Sequence, residues 1–199
     1  MIREEITTED INLFRKKIDA VFKVPDEDFN LLAQTLKRVA YQKGEVIVRA
    51  GSVFRDVYFI EKGSCRLFAL EENKEININF FLENDLAADF KSLRFEEPSD
   101  YFLVAMEELT VLKTAKKEYY PIIEESDALS RMRTNLIHEL YLHELEQNRQ
   151  FKQFGPDERY QYLLSNRPEL IQRIPLFHLS SYIGTSRETL SRIRKRSSE

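Results

Sequence analysis

Apolar residues recur three and four positions apart through EDINLFRKKIDAVFK (residues 9–23) and DEDFNLLAQTLKR (residues 26–38), and this spacing predicts two helices. From Ala40 the period changes. Glu45–Arg49, Val57–Glu61, Cys65–Leu70, Glu75–Phe81 and Tyr101–Ala105 are short and rich in β-branched or aromatic residues, and Gly44, Gly51, Gly63 and Asn73 punctuate the earlier ones. They predict the strands of a compact antiparallel barrel or sandwich, with a last strand at Leu109–Thr114.

The pattern then turns helical. Leu129, Met132, Leu136, Leu140 and His143 follow steps of three and four, which predicts one long helix from Asp127 to Lys152 with its charges on the other faces. The stripe suits two partners equally: the chain's own barrel, or the same stripe of a second copy. Gly155–Pro156 breaks the helix, and Asp157 is placed to cap the next, ERYQYLLSN. Asn166–Arg167–Pro168 and Ile174–Pro175 punctuate the C-terminal stretch. A domain boundary is expected near residue 153.

Phe177–Ile183 reads as a short helix, Gly184 as a turn, and a second helix starts at once, with Thr185 as N-cap and Glu188 completing a T-x-x-E capping box. Leu190 and Ile193 share one face and would pack on Leu179 and Ile183, while Arg187, Glu188, Ser191, Arg192 and Lys195 fall on the other side. Two short helices joined by a glycine turn form a helix-turn-helix, whose second helix enters the DNA major groove. Arginine takes guanine with two hydrogen bonds, and glutamate accepts from cytosine N4. Arg194, Lys195 and Arg196 suit phosphates. The plainer alternative is a solvated helix in which Glu188 is only a cap.

Composition shifts the balance in two ways. The 199-residue chain carries a net charge of −4, but residues 180–199 hold +3 and the remainder −7. An acidic body with one basic end approaches DNA by that end. The single cysteine, Cys65, excludes an internal disulfide and any Cys-rich zinc or iron–sulfur site, and reads as a buried thiol in a reducing cytosol. No run of 18 apolar residues exists and the N-terminus lacks a signal-peptide core, so a cytoplasmic protein is expected. No G-x-S-x-G, H-E-x-x-H, Walker A or Rossmann pattern is present, and no enzyme is expected. His138 and His143 lie five apart, off a common helix face, and read with His178 as solvated or capping residues.

SRETLSRI, coming after an apolar helix and a glycine, resembles the DNA-binding motif of the Crp/Fnr family of bacterial transcription regulators. KGEVIVRAGSVFRDVYFIEKGSCRLF resembles the start of that family's β-roll, with Gly44, Gly51 and Gly63 at its turn glycines and Tyr58–Ile60 on a core strand. The likeness runs from about residue 28 to the end. It implies an α+β chain: a cyclic-nucleotide-binding-like double-stranded β-helix (a jelly-roll-like β-roll) with N-terminal helices over residues 1–126, a dimerisation helix over 127–152, and a winged helix-turn-helix over 153–199. It further implies a homodimer on a two-fold site in double-stranded DNA, gated by a small-molecule effector, with RNA polymerase as a further partner. Arg187, Glu188 and Arg192 fall on the family's base-reading positions, and Ser186 on a phosphate contact.

The effector pocket departs from the family. Its cyclic-nucleotide binders hold the ribose with a Gly-Glu pair and the cyclic phosphate with an Arg followed by Ser or Thr. An ungapped count back from Leu103–Ala105 puts these on Ala88–Asp89 and Ser99–Asp100, with His143–Glu144 at the base-contacting positions of the long helix. Asp89 is able to accept from a hydroxyl. Ser99 cannot neutralise a phosphate, Asp100 repels one, and burying that charge unpaired costs several kcal/mol. Arg94 swinging in from its loop, or a gap in the count, would rescue the site. The expected effector is therefore a molecule other than cyclic AMP. Two alternatives stand beside this one: a cyclic-nucleotide-responsive regulator, and a ligand-binding signalling module whose helical tail docks a protein partner.

Overall fold

The computed structural model describes residues 2–197. They divide into two compact units, one running up to Leu67 and again over Phe81–Glu139, the other comprising Phe68–Phe80 and the chain from Leu140 onward.

The first unit opens with strand β1 (Ile2–Glu4) and helices α1 (Thr8–Val21) and α2 (Asp26–Ala33). Strands β2 (Lys37–Tyr41), β3 (Val46–Val48), β4 (Asp56–Lys62), β5 (Cys65–Glu71), β6 (Lys74–Phe81) and β7 (Leu86–Ala87) come next. Then come α3 (Phe90–Phe95), β8 (Tyr101–Ala105), β9 (Leu109–Ala115), α4 (Lys116–Glu125) and α5 (Asp127–Gln153). The strands form two sheets, ordered β1-β2-β9-β4-β7 and β3-β8-β5-β6. Pairing is antiparallel along the first sheet and between β3 and β8. This is the antiparallel β core expected from the strand pattern.

Phe14, Ile18, Phe29 and Leu32 of α1 and α2 pack on Phe59 and Leu112 of β4 and β9, with Phe14 edge-on to Phe59 at 5.4 Å. Leu129 and Met132, in the first turns of α5, are buried in the same core. The predicted stripe of the long helix therefore splits. Its start belongs to the chain's own core, Leu136 and Leu140 are half-buried, and His143 is exposed. A different apolar line, Ile137, Tyr141, Leu142 and Leu145, faces outward.

The helix predicted over residues 26–38 stops at Ala33, and β2 takes over at Lys37. Val39 and Tyr41 alternate inward against β9, a strand period that the run LLAQTLKRVAY hides because Leu36 also fits a helical step. One glycine turn is obligatory. Gly63 has φ +88°, and a Cβ there would lie 2.3 Å from the Glu108 carbonyl oxygen. Cys65, two residues on, is completely buried.

The second unit contains the end of the β5–β6 hairpin, the latter half of α5, and helices α6 (Pro156–Asn166), α7 (Pro168–Arg173), α8 (Leu176–Ile183) and α9 (Arg187–Arg196). Gly155 is the N-cap of α6 and Pro156 opens it. Glu158, rather than the predicted Asp157, accepts from the Gly155 amide at 2.8 Å. The winged form implied by the family resemblance is not met among the described residues: every strand lies before Lys116, and the chain after it is helical. No helix among the described residues is long and apolar enough to cross a membrane.

Candidate nucleic-acid interface and effector pocket

The last two helices meet as their sequence predicts. Leu179 and Ile183 of α8 and Leu190 and Ile193 of α9 are all buried, and Gly184 between them is left-handed at φ 76°. A Cβ at Gly184 would stand 3.0 Å from Arg159 Nη1 and 3.3 Å from a Phe151 ring carbon, so the turn is restricted by space as well as by backbone. Arg159 fills that place for a reason. Nη1 donates to the Ile183 carbonyl at 2.7 Å, Nη2 to the Phe151 carbonyl at 2.9 Å, and the guanidinium lies over the Phe151 ring. It thus satisfies carbonyls near the C-terminal ends of α8 and α5.

The cap of α9 differs from the predicted one. Ser186, not Thr185, is the N-cap, and its hydroxyl accepts from the Thr189 amide at 3.1 Å. Glu188 sits one position too early for a capping box. Its carboxyl is held below the ordinary range, chiefly by its own backbone N–H and then by the Ser186 hydroxyl. The family resemblance puts Ser186 on a phosphate, whereas its hydroxyl is engaged within the cap.

Arg187, Glu188, Ser191, Arg192 and Lys195 are all exposed. Arg187, Ser191 and Lys195 have no hydrogen bond or ion pair among the described residues. Arg192 Nε lies 3.4 Å from the Glu188 carbonyl, a long contact. Arg192 and Lys195 line, with Thr189 and Arg196, an open concavity of about 420 Å³. Arg196 pairs with Asp157 of α6, and both side chains are exposed. Thr189 escapes the sequence reading, although its three-residue step to Arg192 places both on one helix face.

The pocket positions lie in the first unit, except His143, which belongs to the second. Asp89 is the N-cap of α3: Oδ1 accepts from the Lys91 and Ser92 amides at 3.0 and 3.2 Å. Its other oxygen, Oδ2, accepts from the Ser99 hydroxyl at 2.7 Å. Ser99 Oγ in turn accepts from the Tyr101 amide at 3.1 Å, and the Ser99 backbone bonds Ser52 O and Gly51 N. Ala88 and Ser99 are buried, while Asp100 and Arg94 are exposed. The two positions that would hold ribose and phosphate are therefore bonded to each other. A ligand hydroxyl at Asp89 has to share Oδ2 with Ser99, and a phosphate there meets a carboxylate. His143 is exposed, with Nε2 2.9 Å from Gln147 Nε2. Among the described residues no group of three or more His, Cys, Asp or Glu side chains is arranged to hold a metal ion.

Residues 38–126 match the family described as the cyclic nucleotide-binding domain. FixK2 from Bradyrhizobium japonicum superposes with a TM-score of 0.68 at 17% identity, covering 81% of this chain and 83% of that one. The c-di-GMP responsive global regulator CLP from Xanthomonas campestris gives 0.65 at 16% identity, covering 87% and 92%. The Thermus thermophilus catabolite activator protein gives 0.57 at 21% identity, covering 90% and 85%. No curated protein matches the sequence.

The chain has the fold of the Crp/Fnr-type regulators. The match to the cyclic nucleotide-binding domain takes in nearly all of β2, the strands from β3 to β9, and α3 and α4, with the Asp89–Ser99 bond inside it. The structural relatives lie below a quarter identity, so the likeness is one of fold. What the chain binds has to be argued from its own residues.

Proposed function

We propose that this chain is a homodimeric, sequence-specific DNA-binding regulator of the Crp/Fnr type. The observation that carries the reading is the face of α9: Arg187, Glu188, Ser191, Arg192 and Lys195 are all exposed, on a helix whose other face is locked by Leu190 and Ile193. Exposed donors on a helix fixed from behind are available to base edges and phosphates. In this reading α8 and α9 are the helix-turn-helix. Arg187, Glu188 and Arg192 reach bases, and Lys195 reaches phosphate. The outward line Ile137–Tyr141–Leu145 on α5 is the seam with a second copy, since a run of large apolar side chains in water is otherwise a cost.

The effector is a small molecule other than cyclic AMP. The position that would carry an arginine for the cyclic phosphate is Ser99, which has no charge and donates to Asp89. Calorimetry is expected to show no cyclic AMP binding at micromolar concentration, and a micromolar dissociation constant would overturn this.

Selection of bound duplexes from a random library, with and without cell extract, tests the whole proposal. The expected product is a palindrome with half-sites about one helical turn apart. Failure to enrich any sequence under either condition overturns DNA reading.

A further inference from the structure

Strand β6 lies last in its sheet, so one row of its backbone groups has no neighbouring strand among the described residues. Two groups of that row are satisfied by a single side chain of α8. The Asn77 amide donates to Ser181 Oγ at 3.0 Å, and the same hydroxyl donates to the Glu75 carbonyl at 2.9 Å. An amide and a carbonyl two residues apart, both bonded to one group, form the pattern that a residue of a parallel strand would complete. Ser181 therefore stands in for a strand residue while belonging to a helix.

The contact is reinforced on the same face of α8. Asn77 Nδ2 donates to the His178 carbonyl at 3.3 Å, and His178 Nδ1 is 3.8 Å from a Glu75 carboxylate oxygen. Phe80 meets Tyr182 edge-on at 5.3 Å, and Gln147 of α5 donates to the Tyr182 hydroxyl at 3.0 Å. Residues 178, 181 and 182 face the hairpin, while Leu179 and Ile183 carry α9. By contact, then, the end of the hairpin belongs to the helical unit, although β5 begins and β6 ends in the other.

We propose that Ser181 is a positioning residue for DNA reading: its hydroxyl fixes α8, and through it α9, to the β5–β6 hairpin. This rests on the DNA-reading proposal and adds to it the bond that holds the reading helices in one pose. The pose leaves Arg187, Glu188, Ser191, Arg192 and Lys195 exposed, so the bond orients the reading face rather than covering it. Orientation matters only when two reading heads must engage together. A lone half-site accepts any pose, whereas a two-fold site rewards heads already held in register.

The test uses the full chain, with Ser181→Ala to remove both bonds and Ser181→Thr to keep the hydroxyl. Asn77→Ala, which removes the companion bond to His178 and leaves the Asn77 amide in place, gives a second loosening if Ser181→Ala fails to fold. Hydrogen exchange of the Asn77 amide reads the bond, and affinities for the selected two-fold duplex and for its single half-site read the positioning. Ser181→Ala is expected to speed Asn77 exchange about tenfold and to weaken two-fold binding by a similar factor, with half-site affinity within about twofold of wild type. Ser181→Thr is expected to restore both. Unchanged exchange in Ser181→Ala, or faster exchange with an unchanged ratio of two-fold to half-site affinity, overturns the proposal. A wild-type chain with no preference among duplexes overturns DNA reading and the positioning role with it, while Asn77 exchange still reports the bond itself.

Discussion

Arg187 and Lys195 are both exposed cations on α9, and the proposed DNA reading gives them different work. Arg187 stands at the first position of the helix, where that reading has a side chain meet base edges, and Lys195 two turns later, where it has one meet phosphate. Arg187→Ala is expected to relax base preference at one position and to cost about 1–3 kcal/mol per half-site. Lys195→Ala is expected to weaken binding to all duplexes alike and to lower the salt slope by about one. Titrating both variants against the selected duplex and a one-base variant of it, at several salt concentrations, separates the two roles. Equal loss of preference in both would refute the assignment.

Arg38 of β2 joins three elements. Its Nε is 2.9 Å from Glu61 of β4 and 3.4 Å from Asp10 of α1. Burial, followed by a hydrogen bond with Asp10, pushes the Glu61 carboxyl up to about 7, against the pull of Arg38. For Asp10 burial is the largest influence and acts upward, but bonds from Glu61 and Thr7 and the charge of Arg38 outweigh it and hold the group low. Between the ordinary value of 4.5 and about 7 the folded chain keeps a proton at Glu61 that the unfolded chain releases. The stability this contributes is fully present below that window and is lost as pH rises through it. Asp10 acts the other way and only in acid. Glu61→Gln is expected to flatten the fall in urea midpoint between about pH 5 and 7. An unchanged slope would place the proton elsewhere.

The turn between α8 and α9 makes a demand at the scale of elements. Gly184→Ala puts a Cβ on a left-handed residue and against Arg159, so a loss of roughly 1–2 kcal/mol is expected from backbone alone. Thermal unfolding of the variant measures it. This turn is legible in the sequence because a glycine between two apolar steps leaves few readings. The cap is not: Thr185 and Ser186 are adjacent cap formers, and backbone geometry chooses the second. The strands and α5 are legible from their periods. β2 is hidden inside a helical spacing, and β7 is too short to show a period. α3 is masked by its setting, since its cap, Asp89, has the look of a ligand residue. The contacts of Ser181 and Arg159 join residues far apart in the chain, which no local pattern reveals.

At the scale of the whole molecule the long helix α5 changes partner along its length. Leu129 and Met132 are spent on the chain's own core, and the exposed line begins at Ile137. Periodicity alone continues Leu129 and Met132 into Leu136, Leu140 and His143. Burial ends that stripe in the core and moves the seam proposed for a second copy onto Ile137, Tyr141 and Leu145. Leu145→Glu is expected to shift a sedimenting dimer toward monomer by at least about tenfold in dissociation constant, since it sets a charge in an apolar contact. The fold of each subunit should survive, because Leu145 is exposed within one chain. A dimer unchanged by Leu145→Glu and by Tyr141→Glu would place the seam on another surface.

The thiol of Cys65 sits completely buried on β5, and burial pushes its pKa far above that of a free cysteine. The thiolate, which is the form that attacks alkylating and disulfide reagents, is absent while the strand stays in place. With a single sulfhydryl in the chain, every labelled molecule has passed through an opening of this one sheet. The labelling rate at saturating reagent is therefore a clock for that opening. A compound that slows the clock binds and steadies the β core, whatever its chemistry, so the proposed effector can be sought by timing one sulfur atom.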